Sequence, residues 1–535
     1  MDSNQLDHSR TESQSTGSSI TLSPSPQPST FSQGVKCKTD SIPSYIPTEH
    51  PYRTLVLCFD GTGNQFSMDN SNIVEFFSLL KKDDPSKQLV YYQTGIGTYT
   101  SPQMATPLLA QFCQTVDFAI AWELDDHIMA GYEFLMQNYT AKDRICIFGF
   151  SRGAYTARCL AGMIHKVGLL PIYNHQQIPF AYQMYTTTDE LGWKQSNAFK
   201  KTFCIDVDIE FLGVWDTVSS VGLISRRLPF TTSNTVVCTF RHALALDERR
   251  AKFKANLWNR PQEEEMLLSI SEQKLAQAQQ QPALESGECS TCIKQHHKSA
   301  LRTLEERYQK DRHTPTDVVE VWFAGSHGDV GGGCVENGMK PCLARIPLRW
   351  MIRECFKTNS GILFNIEGMK DIGLDPASLY PVVLPRPPAI PIEPLSLNPQ
   401  LCIAEVPKQK PKPTTTNEIP TTIQQVAPLQ VQAQTEEEAD LLDSLAPLHD
   451  QLVLKWIWWI LEFTPMKHRF QRKDNKWISK WLGWNFGSGR YIPRHMSGGV
   501  RVHRSVKTRM DAEYKDGRKY WPKATLELKN VIWVD

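Results

Sequence analysis

The sequence predicts an α/β protein: a mostly parallel sheet with helices on both faces, and a smaller helical, Trp-rich C-terminal region. Two observations carry this. Short, almost unbroken apolar runs ("RTLVLCFD", "RICIFGF", "IEFLGVWD", "VVEVWFAGS") alternate with stretches of helical periodicity. Runs without polar gaps suit strands buried on both faces. Each run also ends in a polar or Gly-rich turn, and open parallel sheets gather their sites at those carboxyl ends.

Taken in order, "RTLVLCFDGTGN" reads as a buried strand with a Gly-rich exit, and "SNIVEFFSLLKK" as an amphipathic helix with Ser71 or Asn72 at its cap. "QLVYYQTGIGT" is a second strand, and "QFCQTVDFAIAWELDDHIMAGYEFLMQNY" has helical periodicity. "RICIFGF" is a third strand and "AYTARCLAGMIHKVG" the helix after it. "IEFLGVWDTV" and "VVEVWFAGSHGDVGGG" are further strands with polar ends, and "PLRWMIRECF" is a helix.

The chain has 535 residues, room for about two to four domains. Residues 1–40 hold 22 Ser, Thr, Pro or Gln; residues 1–50 are expected to be a disordered tail, because they cannot bury enough apolar area to order themselves. A catalytic-type α/β domain is expected over residues 52–380, with a Gln- and Glu-rich insertion at 261–313. Twelve prolines in the 48 positions 381–428 mark residues 381–435 as a linker or loop. Residues 436–535 are expected to pack on the main domain.

A net charge of +1 and the lack of any recognition motif argue against nucleic acid. Thirteen cysteines, odd in number and unpatterned, suit a reducing, cytoplasmic setting. No secretory signal and no bilayer-spanning run is seen in the sequence. Residues 466–510 carry 12 Lys/Arg against one acid, Asp474, with tryptophans at 456, 458, 459, 477, 481 and 484. Cationic side chains attract anionic lipid and Trp favours the interface. Residues 456–510 are therefore a candidate peripheral membrane contact; the competing reading is a small subdomain that packs its tryptophans and pairs its charges.

Gly149-Phe150-Ser151-Arg152-Gly153 fits G-x-S-x-G between a strand and a helix. That corner exposes a serine hydroxyl, and the amide of the following residue, Arg152, can donate to an oxyanion. The plain alternative is a small residue that the corner needs. A serine nucleophile requires a base and an acid, downstream in this order. Asp216 ends "IEFLGVWD" and His327 follows "VVEVWFAGS". His327 would take the Ser151 proton, and Asp216 would hold the imidazole and its charge. Alternatives stand beside these. Asp216 could cap its turn through Thr217 and Val218. His327 could be a loop histidine or a metal ligand with Asp329. His242 in "FRHALALDERR" is a competing base, and Asp247 a competing acid.

"FDGTGN" offers Gly61 or Thr62 as a second oxyanion donor, with Asp60 orienting the loop or binding a cation. A plain β-turn is the alternative. Phosphatase chemistry of the haloacid-dehalogenase kind is excluded, because Cys58 stands where the nucleophilic aspartate must be. "TGIGTYT" lacks the third glycine of a dinucleotide fingerprint, and no phosphate-cradling G-x-x-x-x-G-K-[ST] occurs. Cys289, Cys292, His296 and His297 are spaced too closely for a usual zinc finger. The Ser-His-Asp chemistry itself needs no cofactor, and a divalent cation is left open.

"LCFDGTGN", "GFSRGAYTARCLAGMIHKVGLL", "FLGVWDTVSSVG", "HALALDERR" and "EVWFAGSHGDVGGG" occur in that order. Together they resemble the catalytic domain of the type VI secretion (Tle-like) phospholipase effectors, over about residues 52–356. The resemblance implies an α/β-hydrolase fold, with Ser151 as nucleophile, Asp216 as acid and His327 as base. It also implies an ester substrate, phospholipid in the bacterial effectors. The Ser/Pro-rich tail and Pro-rich linker give the chain a fungal character. Two other readings remain at this stage: a non-lipid esterase or thioesterase, and a non-catalytic interaction protein on the same fold.

Overall fold

A computed structural model describes residues 42–48, 52–96, 109–218, 228–258, 305, 315–392, 401–406, 435–456, 458–463, 466–471, 477–492 and 499–535. Of the expected N-terminal tail, residues 42–48 are described, and Tyr45–Ile46 pairs antiparallel with Phe364–Asn365. The rest of the tail, the 261–313 insertion with its Cys and His residues (Glu305 apart), and residues 393–400 and 407–434 of the expected linker lie outside the described residues.

The main sheet has eight strands: β1 (Thr54–Phe59), β2 (Gln88–Gln93), β3 (Arg144–Phe150), β4 (Ile209–Trp215), β5 (Val237–Ala245), β6 (Asp317–Phe323), β7 (Val500–His503) and β8 (Val531–Val534). Their spatial order is β2-β1-β3-β4-β5-β6-β7-β8, and every neighbouring pair is parallel. The register aligns Phe59 with Gly149 and Phe150 with Trp215, so the carboxyl ends of β1, β3 and β4 lie level. The chain leaves β1 toward β2 and returns on the other side of β1 as β3. The strand order therefore reverses between β1 and β3, the switch point at which such sheets open a crevice.

Alternation along the strands separates two cores. Leu55, Leu57 and Phe59 of β1 and Ile145 and Ile147 of β3 pack with Leu124, Ile128 and Tyr132 of α2 (Leu109–Asn138) and with Ala154, Ala157 and Leu160 of α3 (Ser151–Val167). On the opposite face, Phe148 lies 4.3 Å from Phe76 of α1 (Asn72–Ser78), and Phe76 also meets Trp215 edge-on. Helices α4 (Ile178–Thr186) and α5 (Glu190–Phe203) pack against α3. Two further helices follow β6: the short α6 (His327–Gly331) and α7 (Arg345–Lys357). Both faces are thus covered, as the unbroken apolar runs require.

The C-terminal region contains helix α8 (Glu436–Ser444), shorter helical turns at Gln451–Leu454 and Trp458–Glu462, and α9 (Arg504–Asp511). It also supplies β7 and β8 and an antiparallel pair, Met466–Gln471 with Trp477–Gly483. Trp322 of β6, Val502 of β7, and Val506, Tyr520 and Leu526 share one core. Among the described residues, no helix is long and apolar enough to cross a membrane.

Candidate active site

The corner between β3 and α3 is tight. Ser151 has φ +58°, a left-handed conformation that costs a non-glycine residue about 1–3 kcal/mol. The flanking glycines are there for space. A Cβ at Gly149 would lie 2.5 Å from the Gly153 carbonyl oxygen, and one at Gly153 would lie 2.2 Å from the Asp60 carbonyl oxygen. The corner therefore fits under the β1 exit only without side chains.

Ser151, His327 and Asp216 come together at the carboxyl ends of three strands. The His327 Nε2 lies 2.8 Å from Ser151 Oγ, and its Nδ1 lies 2.6 Å from Asp216 Oδ2. Both ring nitrogens are thus engaged, which leaves none for a metal shared with Asp329. Asp216, itself at φ +40°, is completely buried. It accepts from the Ala245 amide at 3.0 Å and from both terminal nitrogens of Arg490. Burial alone would raise the Asp216 carboxyl. The Arg490 guanidinium and the His327 contact outweigh it and hold the group well below the usual carboxylate range. For His327, burial pushes the imidazole down against the opposing pull of Asp216, so the ring favours its neutral, basic form. Its ring sits between Phe150, at 4.7 Å, and Phe253, at 5.0 Å.

The loop after β1 lies beside the serine: a Cβ at Gly61 would be 3.4 Å from Ser151 Cβ. The two candidate loop donors differ in what they already hold. The Gly61 amide donates to Asp60 Oδ1 at 2.7 Å, so it is already engaged. Thr62 shows no such partner among the described residues, and its buried hydroxyl is likewise unpaired. The Arg152 amide lies in the first turn of α3, directly after Ser151. Asp60 also accepts from Ser71 Oγ at 2.6 Å and Tyr92 Oη at 2.8 Å, which ties this loop to α1 and β2. Burial raises its carboxyl against those three donors.

The competing residues are brought elsewhere. His242, fully buried on β5, has Nδ1 3.0 Å from Glu320 and accepts the Thr217 amide on Nε2 at 3.1 Å. Neither nitrogen reaches Ser151. Asp247 accepts from the Gly325 and Lys523 amides and from Tyr520 Oη, so it braces the loop before His327 against the C-terminal region. Asp329 accepts from the amides of Ser326 and His449, and His449 Nδ1 lies 2.7 Å from it. Asp329, Cys334 and His449 bring ligand-type atoms within 4.8 Å of one another. With three N–H partners already on the carboxylate, the group reads as a brace between α6 and His449. The glycine at 331 lets α6 close onto the β3 exit: a Cβ there would penetrate the Phe150 ring at 1.8 Å.

Sequence reasoning missed Glu248, Arg250, Phe253 and Arg490. Glu248 accepts the His327 amide at 3.2 Å and pairs with Arg250, whose guanidinium stacks 3.5 Å from the Phe253 ring centroid. Glu248 and Arg250 stand inside or beside the quoted "HALALDERR", which was the available signal. Arg490 is one of twelve basic residues in its stretch and carries no local mark.

The fold defines the chain as an α/β-hydrolase-like protein, with Ser151, His327 and Asp216 hydrogen-bonded in series at the carboxyl ends of its strands. Residues 53–354 match the family described as T6SS, Phospholipase effector Tle1-like, catalytic domain. That is more than half of the chain, which belongs to this family. A relative in Saccharomyces cerevisiae, Uncharacterized protein YEL023C, is 28% identical over 591 residues, covering 92% of this chain and 83% of the relative. Two solved structures are also similar, each at 17% identity. An uncharacterized protein from Pseudomonas aeruginosa gives a TM-score of 0.31 over 61% of this chain and 48% of its own. The Tle1 effector bound to the VgrG spike from the Type 6 secretion system gives 0.27 over 53% and 52%. The chain thus spans about half of each. Likeness at this level carries no argument about chemistry.

Proposed function

We propose that the protein is a serine ester hydrolase of the phospholipase type. One observation carries the reading: a serine on a strained strand-to-helix corner, hydrogen-bonded through His327 to a buried, ionised Asp216. Ser151 Oγ attacks the acyl carbonyl carbon while His327 Nε2 takes its proton. The Arg152 and Thr62 amides receive the developing oxyanion, each such donor lowering the barrier by about 3 kcal/mol. His327 then protonates the departing alcohol, leaving an acyl-Ser151 ester. Water attacks that ester, with His327 again as base, and the carboxylic acid leaves.

Membership of a phospholipase family favours a lipid ester over a small polar one. A fluorophosphonate probe should label Ser151 of the wild type, located by peptide mapping. The purified protein should release fatty acid from a phospholipid panel. Absence of Ser151 labelling would sink the serine mechanism. Labelling with no turnover of any lipid, but turnover of a soluble thioester or acyl ester, would move the substrate class.

The surface beside the site favours peripheral contact with lipid. Trp456, Ile460, Phe463, Trp484 and Phe486 are exposed; Phe463 meets Trp484 and Phe486 edge-on, and Trp484 lies tilted against Phe486, at centroid distances of 5.2–6.4 Å. Trp458, in the same helical turn as Ile460, meets Phe253 edge-on at 5.6 Å, which brings this turn to the residue packed on His327. Arg490, Arg504 and Arg509 of the basic stretch bond within the protein, so the exposed aromatic side chains are the basis of this proposed contact. Trp456→Glu with Trp484→Glu should reduce flotation with anionic vesicles and slow hydrolysis of vesicle lipid. Labelling by the soluble probe should stay unchanged. Flotation equal to wild type would refute the contact.

A further inference from the structure

Arg490 looks, in the sequence, like one more surface cation. In the structure it is buried, and its backbone is pinned by the Thr525 amide, which donates to its carbonyl at 3.0 Å. A buried guanidinium is costly unless each N–H finds an acceptor, and here each does. Nε donates to the Phe253 carbonyl at 3.0 Å. Nη1 donates to Asp216 Oδ1 at 2.5 Å and the Ala245 carbonyl at 3.1 Å. Nη2 donates to Asp216 Oδ2 at 2.9 Å and again to Phe253 at 2.6 Å. The planar fork thus grips the carboxylate that holds His327. It also grips the backbone of the residue whose ring packs edge-on against that imidazole.

We infer that Arg490, from outside the family-matched residues, is a positioning residue of the hydrolase site: it orients the Asp216 carboxylate and offsets part of its charge. The inference rests on the Ser151-His327-Asp216 reading. Geometry supplies the first half. Asp216 has four donors on two oxygens, and the bidentate pair leaves Oδ2 aimed at His327 Nδ1. Electrostatics supplies the second. An unbalanced carboxylate would draw a proton onto the imidazole more strongly and remove the free base at mildly acidic pH. The other groups facing His327 are Ser151, Glu248 paired with Arg250, and the rings of Phe150 and Phe253; Asp329, on its own helix, is held by His449. Arg490 is thus the cation directly bonded to the histidine's carboxylate partner.

The test is the pH profile of fluorophosphonate labelling in wild type, Arg490→Met and Arg490→Lys, read with melting temperature. Arg490→Met should slow labelling at neutral pH by up to ~100-fold, the scale of a misplaced catalytic group. It should also move the acid limb to higher pH. Arg490→Lys keeps a charge but loses the fork, so labelling should slow while the limb stays near that of wild type. A merely structural role would lower melting temperature and labelled fraction without moving the limb in Arg490→Met, and that result overturns the inference. Should Arg490→Met not fold, a wild-type labelling rate in Arg490→Lys overturns it as well. If wild type shows no Ser151-dependent labelling, the hydrolase reading itself fails and this inference falls with it, so the two failures are told apart.

Discussion

His327→Ala is expected to lower ester turnover by about 10⁴-fold or more, whereas His242→Ala leaves the chemistry in place. The difference follows from where each ring points. His327 bridges Ser151 and Asp216 at 2.8 and 2.6 Å. Without it the serine keeps its proton, because among the described residues no other base is hydrogen-bonded to it. Asp216 keeps its bonds to Arg490 and the Ala245 amide, so the site should stay folded and the melting temperature should change little. His242 instead satisfies Glu320 and the Thr217 amide in the sheet interior. Its loss leaves buried groups unmatched, at a cost of about 1–3 kcal/mol in stability. Turnover of a short-chain ester and denaturant melts on both variants decide the matter. Turnover that survives in His327→Ala but vanishes in folded His242→Ala would reverse the assignment of the base.

Asp216→Asn is expected to damage both activity and stability. Turnover should fall by about 10⁴-fold, because an amide no longer stabilises the imidazolium or enforces the right tautomer. Stability should fall by about 3–5 kcal/mol, because Arg490 is left as a buried charge without its counter-ion. A double variant, Asp216→Asn with Arg490→Met, should recover much of the stability and none of the turnover. Burial would raise the Asp216 carboxyl, but Arg490 and His327 hold it below its unfolded value. Its stabilising contribution is therefore present above the unfolded pKa of about 3.9 and lost only as pH falls through the folded one. The stability gap between wild type and Asp216→Asn should be full at pH 7 and shrink in strong acid. A gap absent at pH 7 would contradict the pairing.

The strands were legible because a sheet covered on both faces needs unbroken apolar runs, and these runs are short, rich in β-branched and aromatic residues, and closed by polar or Gly-rich turns. "RICIFGF" and "IEFLGVWD" became β3 and β4 for that reason. β7 and β8 were not legible. Four residues each, "VRVH" and "VIWV", are too short for periodicity, and they become strands because the β6 edge is there to pair with. Ser151, Asp216 and His327 could be nominated because parallel strands deliver their carboxyl ends to one edge, so three polar residues at three strand ends are neighbours before any coordinate is known.

The sequence by itself determined that alignment, the space-making glycines beside Ser151, and the exclusion of dehalogenase-type chemistry through Cys58. Only the tertiary structure shows that the Gly61 N–H turns back to Asp60, which favours Thr62 as the proposed loop donor. It alone shows that His327 meets Ser151 and Asp216 while His242 meets Glu320 and the Thr217 amide. It also brought Arg490 to Asp216 across 274 residues of chain. A guanidinium fork closing on a carboxylate at that separation leaves no period, spacing or composition to read. It exists only because β7, β8 and the segments around them fold back against the edge of the sheet.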